Sequence, residues 1–177
     1  YKLSKEFGFK IIEDASHAIG SNYYGSPVGS CKYSDITVFS FHPVKIMTTA
    51  EGGMCTTNNI DLYNSMKRLT SHGVTRDPNE MTEIPHGPWY YQQIDLGYNF
   101  RMTEIRAALG INQLKKVKNF TKKRNILAKK YDELLRGLPI KRQKVNKNSF
   151  SSYHLYIIRI QNKKNYTRNN IFERFLS

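Results

Sequence analysis

Short apolar runs cut by glycine and proline fill the first hundred residues, and the pattern changes to helical spacing beyond residue 101. Residues 1–8 read as the tail of a helix that Gly8 stops. Phe9-Lys10-Ile11-Ile12 then ends on Glu13-Asp14, the pattern of a buried parallel strand delivering its carboxylate at the C-terminal edge of a sheet. Gly20, Gly25, Pro27 and Gly29 punctuate a turn-rich stretch. Residues 36–41, rich in β-branched and aromatic side chains, predict the next strand, which Pro43 stops, and residues 52–57 predict a further one. A short helix is expected over residues 61–69. A long irregular segment follows over residues 71–95, carrying Pro78, Pro85, Pro88, Trp89, Tyr90 and Tyr91. Thr103 is a candidate N-cap for a helix that ends or bends near Asn119, before a second helix over residues 121–135. Ile105, Leu109, Leu114, Val117, Leu127, Tyr131 and Leu134 recur at helix-turn spacing and predict the inward face of that pair. Residues 141–152 read as a polar linker, and residues 153–160 as a strand.

Strands alternating with helices predict an α/β class. With 39% apolar and 12% aromatic residues, the 177 residues suffice for a packed core. The net charge of +14 concentrates in Lys115, Lys116, Lys118, Lys122, Lys123, Arg124, Lys129 and Lys130, a stripe that could be a nucleic-acid footprint. These residues fall largely on the outer side of the expected helices, and the whole chain is rich in Lys, Asn and Tyr. A solvated face is therefore the reading, with nucleic acid not expected as a partner; steep salt-dependent duplex binding would mark the alternative. No apolar run is long enough to span a bilayer and the first residues lack a signal-peptide pattern, so a cytoplasmic setting without a membrane partner is expected. Cys31 and Cys55 lack a metal-type spacing and read as reduced thiols. His17, His42, His72, His86 and His154 form no metal constellation, and no Gly-x-Gly-x-x-Gly or P-loop is present.

Two strand ends carry the chemistry. Glu13-Asp14-Ala15-Ser16-His17 follows the first strand, and Ser40-Phe41-His42-Pro43-Val44-Lys45 ends the second, both at the edge where open α/β sheets bind ligands. An acidic residue can hold a pyridine nitrogen protonated so that the ring absorbs electrons, while a lysine amine carries an aldehyde as a Schiff base. Asp14 and Lys45 are thus candidates for a pyridoxal phosphate site. Either residue alone reads as a turn or a solvated side chain; their joint order and spacing carry the reading.

On these residues the chain resembles the DegT/DnrJ/EryC1/StrS family of sugar aminotransferases. Three stretches bear the resemblance: Ser40 to Lys45 with Thr48-Thr49-Ala50-Glu51-Gly52-Gly53, Leu96-Gly97-Tyr98-Asn99-Phe100-Arg101-Met102-Thr103-Glu104, and Ser152-Tyr153-His154-Leu155-Tyr156-Ile157-Ile158. The lysine loop is most similar to the subgroup acting in the pseudaminic acid pathway. The resemblance implies a three-layer, fold-type-I α/β architecture like that of aspartate aminotransferase. Residues 1–100 would be the C-terminal part of the cofactor-binding large domain, residues 101–150 connecting helices and linker, and residues 151–177 the start of the small domain. It further implies that Lys45 is catalytic and holds pyridoxal 5'-phosphate, that Asp14 pairs with the pyridinium nitrogen, and that His17 lies near the ring's phenolic oxygen. Ser16 would line the cofactor and Ser40 would contact its phosphate. Asn99 and Arg101 would reach the partner subunit's site in a homodimer. No metal is implied.

The implied reaction moves an amino group from L-glutamate to C4 of a UDP-linked 4-keto-6-deoxy sugar, for cell-surface or flagellar glycans. Some members carry His in place of the lysine and deoxygenate instead; Lys45 implies amino transfer. Family members are longer, and their N-terminal part supplies a phosphate-binding turn and an aromatic residue over the ring, neither of which is in this sequence. The chain is therefore expected to be a segment, inactive without the other half. An inactive member that retains dimer contacts, or an enzyme for another nucleotide amino sugar, are the alternative readings.

Overall fold

The computed structural model describes residues 1–161 and 167–176. Helix α1 (Lys2–Phe7) ends at Gly8, whose left-handed backbone (φ 73°) lets its N–H donate to the Ser4 carbonyl. The chain then enters β1 (Ile12–Asp14) and leaves it through a turn-rich excursion with a small hairpin, β2 (Asn22–Tyr23) and β3 (Ser26–Pro27). It returns in β4 (Ile36–Ser40), parallel to β1, with Asp14 opposite Val38. A loop leads to β5 (Gly53–Thr56), which pairs antiparallel with β4 and sets Gly53 opposite Ser40. A Cβ at Gly53 would stand 2.7 Å from the Phe39 carbonyl oxygen, so only glycine admits this pairing.

β4 lies between β1 and β5 and alternates as a strand with one buried face should. Thr37 and Phe39 are the buried positions. The Thr37 hydroxyl stays satisfied there, donating to Glu13 Oε2 at 3.0 Å. β1 departs from the buried strand expected of it: Ile12 is 68% exposed. Among the described residues β1 has a neighbour on one edge only, so its outward face meets no packing partner. The core is Ala15, Phe39, Phe41, Met47 and Val117, with Ala18, Ile19, Val28 and Met102 packed against it.

Helix α2 (Ile60–Leu69) is capped by Asn59, whose Oδ1 accepts from the Leu62 N–H. The segment expected to be irregular is closed at its base by β6 (Val74–Thr75) and β7 (Gln92–Gln93). Arg68 ties it down, donating to Asp95 Oδ2 at 2.7 Å and to Glu80 Oε1 at 3.1 Å. Helix α3 (Glu104–Leu114) starts at the Thr103 cap. It breaks at Lys115 and Lys116 rather than near Asn119, and α4 (Val117–Leu134) follows.

Of the inward face predicted for the two helices, Val117 is buried as expected, joined by Thr121 and Ala128 of α4, whereas Ile105 of α3 is 85% and Leu134 of α4 77% exposed. The reason is the partner: α4 packs on the turn at Gly20, where a Cβ would lie 2.7 Å from Thr121 Cγ2, and so close an approach selects small side chains.

Beyond α4 come β8 (Ile140–Arg142), β9 (Ser149–Phe150), β10 (Ile158–Ile160) and α5 (Arg168–Leu176). β8 pairs with β10, and β9 joins the β2–β3 hairpin as a third strand, so the expected linker contains paired residues. The strand expected over residues 153–160 shrinks to β10; residues 151–157 are irregular. Of the stretch assigned to a small domain, residues 162–166 and 177 lie outside the described residues. No helix among the described residues is long and apolar enough to cross a membrane.

Candidate active site

Parallel pairing puts the C-terminal ends of β1 and β4 on one edge of the sheet, which is why Asp14 and the loop after Ser40 converge. The turn after Asp14 is fixed to the neighbouring strand by the Ala15 N–H, which donates to the Val38 carbonyl at 2.8 Å. Asp14 Oδ1 accepts from the Ser16 hydroxyl at 2.5 Å and from the Ser16 N–H at 3.0 Å. These two bonds, with the charges of His17 and Lys45 beside it, hold the Asp14 carboxyl below its ordinary value of 3.8. Oδ2 accepts no hydrogen bond from any described residue.

The loop from His42 to Glu51 is tightly wound. The Phe41 N–H donates to the Gly52 carbonyl at 2.8 Å and the Thr49 N–H to the Phe41 carbonyl at 3.0 Å, closing its neck. Thr48 and Thr49 hydroxyls donate to the carbonyls of Phe41 and Glu51. Ile46 and Met47, immediately after Lys45, are buried and plug the loop into the core. Lys45 itself is half-buried, and its ammonium makes no hydrogen bond or ion pair with a described residue, although its charge acts on Asp14 and on His154. Ser40 ends β4, its hydroxyl accepting a long bond, 3.5 Å, from the His42 N–H.

A further group arrives that the sequence reasoning did not place here. The His154 ring lies 4.1 Å from that of His17, centroid to centroid, at an interplanar angle of 42°. Burial, then the neighbouring His17, Lys45 and Arg124, push His154 below its ordinary value of 6.5. The only signal in the sequence is a lone His inside an apolar run preceded by two serines. Folding stability is expected to fall as the pH drops below 6.5, because the unfolded chain then takes a proton that folded His154 refuses. His154→Phe should flatten that slope in urea-unfolding midpoints measured across the same range.

Asn99 and Arg101 are not joined to this group. Asn99 forms an isolated bridge with Ser71, and Arg101 Nη1 donates to Ser71 Oγ at 3.0 Å. Both are exposed.

Residues 1–177 match the DegT/DnrJ/EryC1/StrS aminotransferase family along their whole length. The chain belongs to that family. Against the UDP-4-amino-4,6-dideoxy-N-acetyl-beta-L-altrosamine transaminase of Campylobacter jejuni strain 81-176 it is 41% identical over 157 residues, covering 88% of this chain and 39% of that protein. The structure of Helicobacter pylori PseC, an aminotransferase of pseudaminic acid biosynthesis, superposes with a TM-score of 0.84 at 34% identity, covering 99% of this chain and 44% of that one. The PLP form of Spr1654 from Streptococcus pneumoniae gives a TM-score of 0.80 at 33% identity, covering 99% of this chain and 44% of that one. The chain thus spans about two fifths of the length of these DegT/DnrJ/EryC1/StrS relatives and shares the fold-type-I architecture of their family.

Proposed function

We propose that this chain supplies the lysine side of a pyridoxal phosphate site in a nucleotide-sugar aminotransferase. One observation carries the reading: at one sheet edge stand an ionised carboxylate with one oxygen unbonded among the described residues and a half-buried lysine whose ammonium bonds to no described residue, close enough for its charge to act on that carboxylate. The residues fit the cofactor. Asp14, anchored through Oδ1 by Ser16, would have Oδ2 left to accept a hydrogen bond from the protonated ring nitrogen, and Lys45, whose amine bonds to no described residue, would hold the aldehyde. When bound, the cofactor supplies a carbonyl for amine exchange and an electron-accepting ring. Lys45 Nζ acts as the anchor and as the base that moves the substrate's proton. Ser16 orients Asp14, while His17 and Ser40 line the same edge.

The relatives' names, an altrosamine transaminase and an aminotransferase of pseudaminic acid biosynthesis, support a UDP-linked amino sugar as the product; our reading adds glutamate as the donor, C4 of a 4-keto-6-deoxy sugar as the acceptor, and surface or flagellar glycans as the destination. Asn99 and Arg101, exposed on the Ser71 side and unattached to the Asp14 group, suit a homodimer in which they serve the partner subunit's site. We place the enzyme in the cytoplasm. The test uses the full-length protein: pyridoxal phosphate should produce a band near the visible edge, and borohydride reduction should fix the label on Lys45 in a peptide map. A label on another lysine, or no band, would overturn the reading. Product analysis with the UDP-keto sugar and glutamate then tests the substrate.

A further inference from the structure

The segment that brings His154 to the site pairs in no ladder among the described residues and is held by side chains instead. Ser152, 1% exposed, donates its N–H to Ser21 Oγ at 3.0 Å and its hydroxyl to the His17 carbonyl at 3.2 Å. Arg124 Nη1, from α4, donates to the Tyr153 and His154 carbonyls at 3.1 and 3.2 Å, and Asn125 Nδ2 donates to the Ser151 carbonyl at 2.9 Å. Between these anchors Tyr153 adopts φ 47°, a left-handed conformation disfavoured for a bulky side chain. Such a conformation persists where the surroundings over-determine it. What it achieves here is to lay the His154 ring against His17.

The same surroundings dictate the charge of that ring. His154 Nδ1 is buried without a hydrogen-bond partner among the described residues. An imidazolium needs acceptors at both nitrogens, so protonation would bury an unpaired N–H next to the cations Lys45 and Arg124.

We propose that His154 is a positioning residue of the lysine site, a neutral ring that fixes the plane of His17 and makes residues 151–156 a wall of the cofactor pocket. The inference rests on the pyridoxal phosphate reading and assigns the wall to a segment far from Lys45 in sequence. Because the ring rather than its nitrogens does the bracing, phenylalanine should serve and alanine should not.

The experiment compares full-length wild type, His154→Ala and His154→Phe, by fluorescence titration with pyridoxal phosphate and by the visible circular dichroism of the bound cofactor. The alanine variant should bind the cofactor about fivefold more weakly, the scale of one aromatic contact, and lose most of the dichroic signal. His154→Phe should restore both. A His154→Ala protein matching wild type in both readouts, or a phenylalanine variant as impaired as alanine, would overturn the proposal. If the alanine protein does not fold, His154→Leu, which fills the volume without a ring, takes its place with the same expectations. Wild type that takes up no cofactor would sink the pyridoxal phosphate reading and this inference together; wild type that loads normally leaves only the inference at risk.

Discussion

Lys45→Ala in the full-length protein is expected to abolish the cofactor's visible band and to cut turnover by about a thousandfold or more, with the fold intact. The structural half of this expectation follows from what Lys45 does not do. Its ammonium makes no hydrogen bond or ion pair with a described residue, so truncation leaves no buried partner orphaned. The loop is held instead by the neck bonds of Phe41 and Thr49 and by the buried Ile46 and Met47. The chemical half follows from the two tasks proposed for one amine, anchoring the aldehyde and moving the substrate's proton. Lys45→Arg sharpens the test, because it keeps the charge beside Asp14 while removing a nucleophilic amine. Both variants should therefore be inactive, with melting temperatures close to that of wild type. Turnover retained in Lys45→Ala would remove this residue from both roles; activity in the arginine variant alone would show that charge is what matters.

The parts of this site legible in the sequence are those that local rules determine. Asp14 and Lys45 could be located in the fold because the first ends one short run of strand-forming residues and the second sits in the loop after another, and parallel pairing brings strand ends to one edge. Thr103 and the helix at residues 60–69 likewise follow from capping and periodicity within one segment. Residues 153–160 alternate as a strand would, yet the backbone of the first half is claimed by Ser21, Arg124 and Asn125, partners that only the folded chain brings near. The lysine-rich helix misled for a related reason. Its leucines looked like the inward face, but the surface it meets is the turn at Gly20, which packs against Val117 and Thr121. The placement of His154 depends on both of these non-local facts, and so it could not be read in advance. The β9 strand, which pairs with β2 from far along the chain, was hidden in the same way.

Asp14→Asn is expected to preserve the fold and lower turnover by about two to three orders of magnitude, the usual cost of removing one preorganised electrostatic partner from a reacting group. Asparagine keeps the carbonyl oxygen that accepts from the Ser16 N–H and hydroxyl, so the turn after β1 should survive. What is lost is the negative charge and the free Oδ2, replaced by an amide that donates where the ring nitrogen needs an acceptor. The pH dependence separates this from a fault of assembly. Because the Ser16 bonds hold the Asp14 carboxyl below 3.8, it is ionised throughout the working range of such an enzyme. The deficit of the asparagine variant should accordingly be constant between about pH 5 and pH 9. The stabilisation linked to that lowered value is present above 3.8 and lost as the pH falls through it, so wild type and variant should converge in acid sensitivity only below the working range. Steady-state rates of the two proteins across this span decide the matter. Wild-type turnover in the asparagine variant would take Asp14 out of the mechanism, and a deficit that closes at low pH would mean that another group carries the charge.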